Sequence, residues 1–96
     1  MPYFCITCLD KPGVLDQRVA IRPAHVDYLK TRMDIIRLAG PRLDDDGKMC
    51  GSLFVVETAD KAEAEAFNAA DPFSQAGIFQ SVEIKGFNPT LGSWAP

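Results

Sequence analysis

Four consecutive apolar residues, Leu53-Phe54-Val55-Val56, constrain the fold more than any other stretch of the chain. Side chains in a strand alternate between faces, so a run that is apolar at every position belongs in a central strand covered on both sides. Lys48 to Thr58 reads as that strand, the third of four. Tyr3 to Leu9 is a short apolar and aromatic strand, followed by turn chemistry at Asp10-Lys11-Pro12-Gly13. Ile35 to Leu43 is the second, and Gly40-Pro41 within it implies an edge or a bulge. Asp44-Asp45-Asp46-Gly47 closes a hairpin between the second and third strands. Asp-Gly favours a primed turn, and the acidic run lacks the ligand spacing and terminal glutamate of a calcium loop. Ile78 to Phe87 is the fourth strand, where Val82 and Ile84 alternate with Ser81, Glu83 and Lys85 in the manner of an edge.

Two helical stretches separate these strands. Proline is favoured at the first position of a helix, so the first is predicted over 23–33, with Arg22 at the cap and His25 in the first turn. Ile21 and Val26 then form a hydrophobic staple, and Val26, Leu29 and Met33 make the buried stripe. In the first turn the helix dipole would favour a neutral imidazole, the form a general base needs. Val14 to Ile21 fits either a loop across the sheet end or an extra helical turn. Asp60-Lys61-Ala62-Glu63 resembles a capping box for the second helix, which would lay Ala62, Ala66, Phe67 and Ala70 on the sheet. Asp71-Pro72 ends it, and Asp71 caps a short turn, Pro72 to Ala76, stopped by Gly77.

Strand, helix, strand, strand, helix, strand with right-handed crossovers gives an α+β fold. Its four-stranded antiparallel sheet has the order 4-1-3-2, with both helices on one face. This topology carries His25, Asp71 and Gly51-Ser52, distant in sequence, to one end of the molecule. The second sheet face stays apolar, because the first and third strands are greasy on both sides. A two-fold homodimer with the sheets face to face is the expected cover. Ninety-six residues support one domain, 1–96, with 88–96 as a C-terminal tail whose Trp94 would pack on the body or on a partner.

A formal charge of −3 and an isoelectric point near 4.9 argue against nucleic acid and against an anionic membrane surface. No apolar run reaches the length of a membrane helix, and no leader is evident at Met1, so the expected location is cytoplasmic. Cys5-Ile6-Thr7-Cys8 has the C-x-x-C spelling, but in a strand those two side chains point to opposite faces. Small half-buried strand residues are the better reading than a redox or zinc site. With one histidine and no ligand set, no metal is expected; with no phosphate-cradling glycine motif, no nucleotide cofactor is expected either.

The candidate chemistry is a His25–Asp71 acid–base pair, in which the carboxylate orients the imidazole and stabilises its charged form. Arg22 would hold an anionic group of the substrate, and Ser52 would donate a hydrogen bond to it. Each has a plainer rival: His25 as a core-edge residue, Asp71 as a helix cap, Arg22 as a surface charge, Ser52 as a strand-end residue. The functional case lies in their coincidence at one end.

Arg22-Pro23-Ala24-His25, Gly40-Pro41, Gly51-Ser52-Leu53, and Asp71-Pro72-Phe73 followed by Ala76-Gly77-Ile78 occur here in an order and spacing that resembles the YciI-like (YCII-related) family across nearly the whole chain. The resemblance implies a ferredoxin-like fold of the dimeric α+β barrel superfamily. It also implies an active-site His–Asp pair falling on His25 and Asp71, and an association with lyase-type dehydrochlorination in aromatic breakdown. The expectation is therefore a small cofactor-independent lyase or isomerase acting on a small anionic or aromatic metabolite. The alternative is a non-catalytic ligand-binding or accessory dimer using the same pocket. An RNA-binding domain of this topology is disfavoured by the acidic charge and by the absence of a basic-aromatic motif on the third strand.

Overall fold

The apolar run at 53–56 sits inside the sheet, as its two-faced character demands. The computed structural model describes residues 1–96. Its elements run β1 (Tyr3–Asp10), α1 (Leu15–Lys30), β2 (Ile36–Leu43), β3 (Met49–Glu57), α2 (Lys61–Ala69), α3 (Pro72–Gln75) and β4 (Phe79–Phe87). All strand pairs are antiparallel, in the order β2-β3-β1-β4, which is the predicted 4-1-3-2 read from the other edge. Phe54 lies opposite Ile6 in the β1–β3 ladder, and both point into the core with Phe4, Val56, Ala64 and Phe67. Cys8 points the same way and is buried, whereas Cys5 lies on the other face and is half-buried. Burial, reinforced by the Asp71 and Asp10 carboxylates, pushes the Cys8 thiol up to about 12.

That shift has a measurable consequence. A thiol that ionises near 9.0 in the unfolded chain and near 12 in the folded one binds more protons when folded between those values. Its stabilising contribution is complete below pH 9 and is lost as pH rises toward 12, at about 1 kcal/mol per pH unit. Urea unfolding between pH 8 and 11 should show this decline in the wild type and a flatter profile in Cys8→Ala.

The hairpin forms where its residues predict, but its turn is not the primed one. The Gly47 N–H donates to the Asp44 carbonyl at 2.9 Å and no non-glycine residue has positive φ, so Asp44–Gly47 is a type I turn closed by a left-handed glycine. The Asp44 carboxylate accepts from the backbone N–H groups of Asp46 and Lys48, both at 2.9 Å, and Gly47 takes φ +80°. β2 is an edge strand with register shifts near both ends. Gly51 permits close contact between β3 and β1: a Cβ there would overlap the Cys8 carbonyl oxygen.

α1 departs from expectation. It begins at Leu15, so 14–21 resolves as helix rather than loop, and Pro23 lies inside it. The hydrogen bond that Pro23 cannot make would have gone to the carbonyl of Val19. Both residues are exposed, so water can serve that carbonyl. Arg22 is therefore not a cap, Ile21 and Val26 are not a staple, and His25 is the eleventh helical residue, far from the positive end of the dipole. The expected stripe also fails at Met33, which falls beyond the helix and is 61% exposed. The inward residues are instead Arg18 and His25, flanked by half-buried Ile21, Tyr28 and Leu29.

In α2 the Asp60 side chain accepts from the Glu63 N–H at 2.9 Å, the predicted cap, while the return bond from the Glu63 carboxylate is to the Ala59 N–H rather than that of Asp60. The predicted face holds only at Phe67: Ala64, Phe67 and Asn68 face inward, while Ala62, Ala66 and Ala70 are exposed. α3 is the predicted short turn, capped by Asp71 and stopped by Gly77 at φ +71°. The sheet face opposite the helices carries Tyr3, Cys5, Leu53 and Val55. They line a cavity of about 540 Å³ against the 88–96 tail, with Trp94 on its rim and 82% exposed. No helix is long and apolar enough to cross a membrane.

Candidate functional site

The chain gathers its buried polar groups where α1 crosses the beginnings of β3 and α3. Asp71 is 0% exposed. Its carboxylate accepts from the Phe73 N–H at 2.9 Å, as a helix cap does. It also meets His25 Nδ1 with both oxygens, at 2.8 and 3.0 Å. Cap and imidazole partner are thus one residue serving both roles, not alternatives. A carboxylate only accepts, so Nδ1 is the donor in this contact, and in a neutral imidazole so held the lone pair is on Nε2.

The His25 ring stacks on Phe73, with centroids 4.0 Å apart and planes 18° apart, and meets the edge of Phe54 at 6.2 Å. The short segment Asp71-Pro72-Phe73 therefore fixes the imidazole twice, by charge and by ring stacking. Nε2 makes no hydrogen bond within the chain. Nor is it a sealed atom, since Ser74 Oγ is the one buried side-chain polar atom without a partner. It opens into a cavity of about 190 Å³.

That cavity is walled by α1, by the Ala39-Gly40-Pro41 stretch of β2, and by Ser52 and Phe54 of β3. Of the four candidate residues, His25 and Ser52 face it, Arg22 stands at its exposed rim, and Asp71 lies directly behind His25. Arg22 has no ion-pair partner, so its guanidinium is free at the mouth.

Two residues of this region carry no site role in the sequence reading. Arg18, on the inward face of α1, is 2% exposed. Its Nε donates to Asp10 at 2.7 Å, and its Nη2 donates to Ser52 Oγ at 2.6 Å and to the Gly51 carbonyl. The guanidinium carbon lies 4.3 Å from the centre of the Phe73 ring. Arg18 and His25 are seven residues apart, roughly 10 Å along the axis, so Phe73 is gripped between them. A signal for Asp10 was present. The alternation Phe4, Ile6, Cys8 continues to Asp10, and a carboxylate on the core face requires a cation. Arg18 was hidden because Val14 to Ile21 showed no helical pattern.

A family model described as YCII-related domain matches residues 1–88. Protein YciI of Escherichia coli O6:H1 is 34% identical over 92 residues, covering 88% of this chain and 94% of that protein. Among solved structures, 5-chloro-2-hydroxyhydroquinone dehydrochlorinase (TftG) of Burkholderia phenoliruptrix AC1100, in complex with 2,5-dihydroxybenzoquinone, superposes with a TM-score of 0.83. It is 30% identical and covers 98% of this chain and 99% of its own. An antibiotic biosynthesis monooxygenase at 16% identity and TM-score 0.56, covering 95% and 100%, shares the fold alone. A match spanning almost every element that builds the cavity places this chain in the YCII-related family.

Proposed function

We propose that this chain is a small cofactor-independent lyase in which His25 moves a proton on a small anionic or aromatic metabolite. The observation that carries the reading is the His25–Asp71 contact at 2.8 Å with the opposite edge of the imidazole on the cavity. The carboxylate holds the tautomer and stabilises the imidazolium that forms when Nε2 accepts a proton. Arg22 and Ser52 bind the substrate.

The likeness to a dehydrochlorinase supports a substituted polyhydroxybenzene as the substrate class, and the cavity matches one such ring in size. From the keto tautomer of such a ring, Nε2 takes a hydroxyl proton. The electron pair of that O–H bond forms a new carbonyl, and the ring C=C pair it displaces shifts to the next carbon–carbon bond. The leaving anion departs from the far carbon of that bond with the pair of its own bond, so no outside oxidant is consumed. The working unit is a homodimer closed over the open sheet face, where Tyr3, Leu53 and Val55 offer apolar surface beside exposed Trp94.

Purified protein given 5-chloro-2-hydroxyhydroquinone and related halogenated polyhydroxybenzenes should release halide and form a quinone. His25→Ala should lose about 10²- to 10⁴-fold in rate. By light scattering it should keep the dimer mass, twice 10.5 kDa. Thermal stabilisation by these compounds with no product formed would identify a binding protein instead. Undiminished turnover in His25→Ala would end the acid–base reading.

A further inference from the structure

The guanidinium of Arg18 is committed on one side only. Nε and Nη2 are spent on Asp10, Ser52 and the Gly51 carbonyl, while Nη1 donates to nothing in the chain. Nη1 is not among the sealed, unpartnered atoms, so the little surface Arg18 retains includes it, and the cavity lined by Arg18 is where it emerges. Ser52 is arranged to match. Its Oγ accepts from Arg18 Nη2, which leaves its own hydrogen to point elsewhere, and Ser52 lines the same cavity.

The charge around this point is one-sided. Arg18, Arg22 and His25 line the cavity, and no carboxylate does, although the chain as a whole carries −3. Asp10 and Asp71 stand behind the cations they hold. Packing against Phe73 and the contacts to Asp10 and β3 keep the donors from rearranging when a ligand arrives, which is what makes such groups effective toward developing charge.

We infer that Arg18 Nη1 and the Ser52 hydroxyl form a two-donor cradle for an anionic oxygen of the ligand, the deprotonated hydroxyl of an acidic phenol or enol. As a step in catalysis this rests on the acid–base reading of His25, because the cradle then holds the oxyanion that proton removal creates. As a binding site it stands by itself. Arg22 at the mouth draws the anion in; Arg18 and Ser52 fix its oxygen.

The test is calorimetric titration with 2,5-dihydroxybenzoquinone, an anion at neutral pH, and with 2,5-dimethoxybenzoquinone, its neutral ether. The wild type should prefer the anion by about tenfold or more. Arg18→Lys keeps the charge but loses the fork, and should weaken anion binding by about 10- to 100-fold. Ser52→Ala should weaken it by about 5- to 10-fold. Binding of the ether should stay within about twofold in both, since neither variant removes a contact the ether makes.

Should Arg18→Lys not fold, Ser52→Ala decides, because it leaves the Arg18–Asp10 pair in place. Equal affinity of wild type and Ser52→Ala for the anion, or no preference for anion over ether in the wild type, overturns the cradle. His25→Gln separates the two proposals. Turnover lost with anion binding kept supports both. A wild type that turns over nothing yet shows the Arg18 and Ser52 dependence keeps the cradle and removes the acid–base reading.

Discussion

Asp71→Asn is expected to remain folded and to lose about 10²- to 10⁴-fold in turnover, no less than His25→Gln. The amide oxygen can still accept from the Phe73 N–H and from Nδ1, so the α3 cap survives. What vanishes is the negative charge that stabilises the imidazolium. Asp71→Ala removes the cap as well, leaves a buried Nδ1–H unpaired, and should cost about 2–4 kcal/mol of stability in addition. On the proposed function His25 and Asp71 act as one unit, so the double variant His25→Gln/Asp71→Asn should be hardly slower than either single variant. Rates that multiply in the double variant would show that the two residues work separately. Urea denaturation of the two Asp71 variants separates the loss of charge from the loss of the cap.

Asp10→Ala is expected to be the most destabilising of the conservative-sized changes at this site. Arg18 and Asp10 are both buried and only 2.7 Å apart. Removing one partner of a buried pair leaves an uncompensated charge and typically costs about 3–5 kcal/mol. Asp10→Asn retains an acceptor for Nε and should cost less. The double variant Asp10→Leu/Arg18→Met removes both charges and should be more stable than Asp10→Ala alone, while the anion preference of the cavity disappears. Equilibrium urea unfolding of the three variants checks the order. If Asp10→Ala proved as stable as the wild type, the pair would not be buried in solution as the structure has it.

The four strands, their order and the hairpin were legible because each rests on a local rule. Alternation set the faces, Asp-Gly located the turn though not its type, and Gly40-Pro41 marked the edge. Asp71-Pro72 announced its own cap. The start of α1 was not legible, because proline is a strong helix-start signal and Pro23 is instead tolerated on the wet side of the helix. The inner face of α1 was obscured for a second reason: its buried positions hold Arg18 and His25, and a pattern search looks for apolar residues there. Only the tertiary partners, Asp10 and Asp71, make those positions habitable. The phase of α2 slipped even though its Asp60 cap was legible, because alanines on the inner and outer faces of the helix look equally apolar.

The wall formed by Ala39-Gly40-Pro41 has a consequence of its own. It comes from an edge strand whose outer side pairs with nothing and whose hairpin is free to lengthen or shorten. The His25–Asp71 pair, by contrast, is anchored between a long helix and a four-residue one. On the proposed function, selectivity and chemistry would reside on separately replaceable parts: grafting a different margin onto this sheet would retune which molecules enter while the imidazole stays where it is.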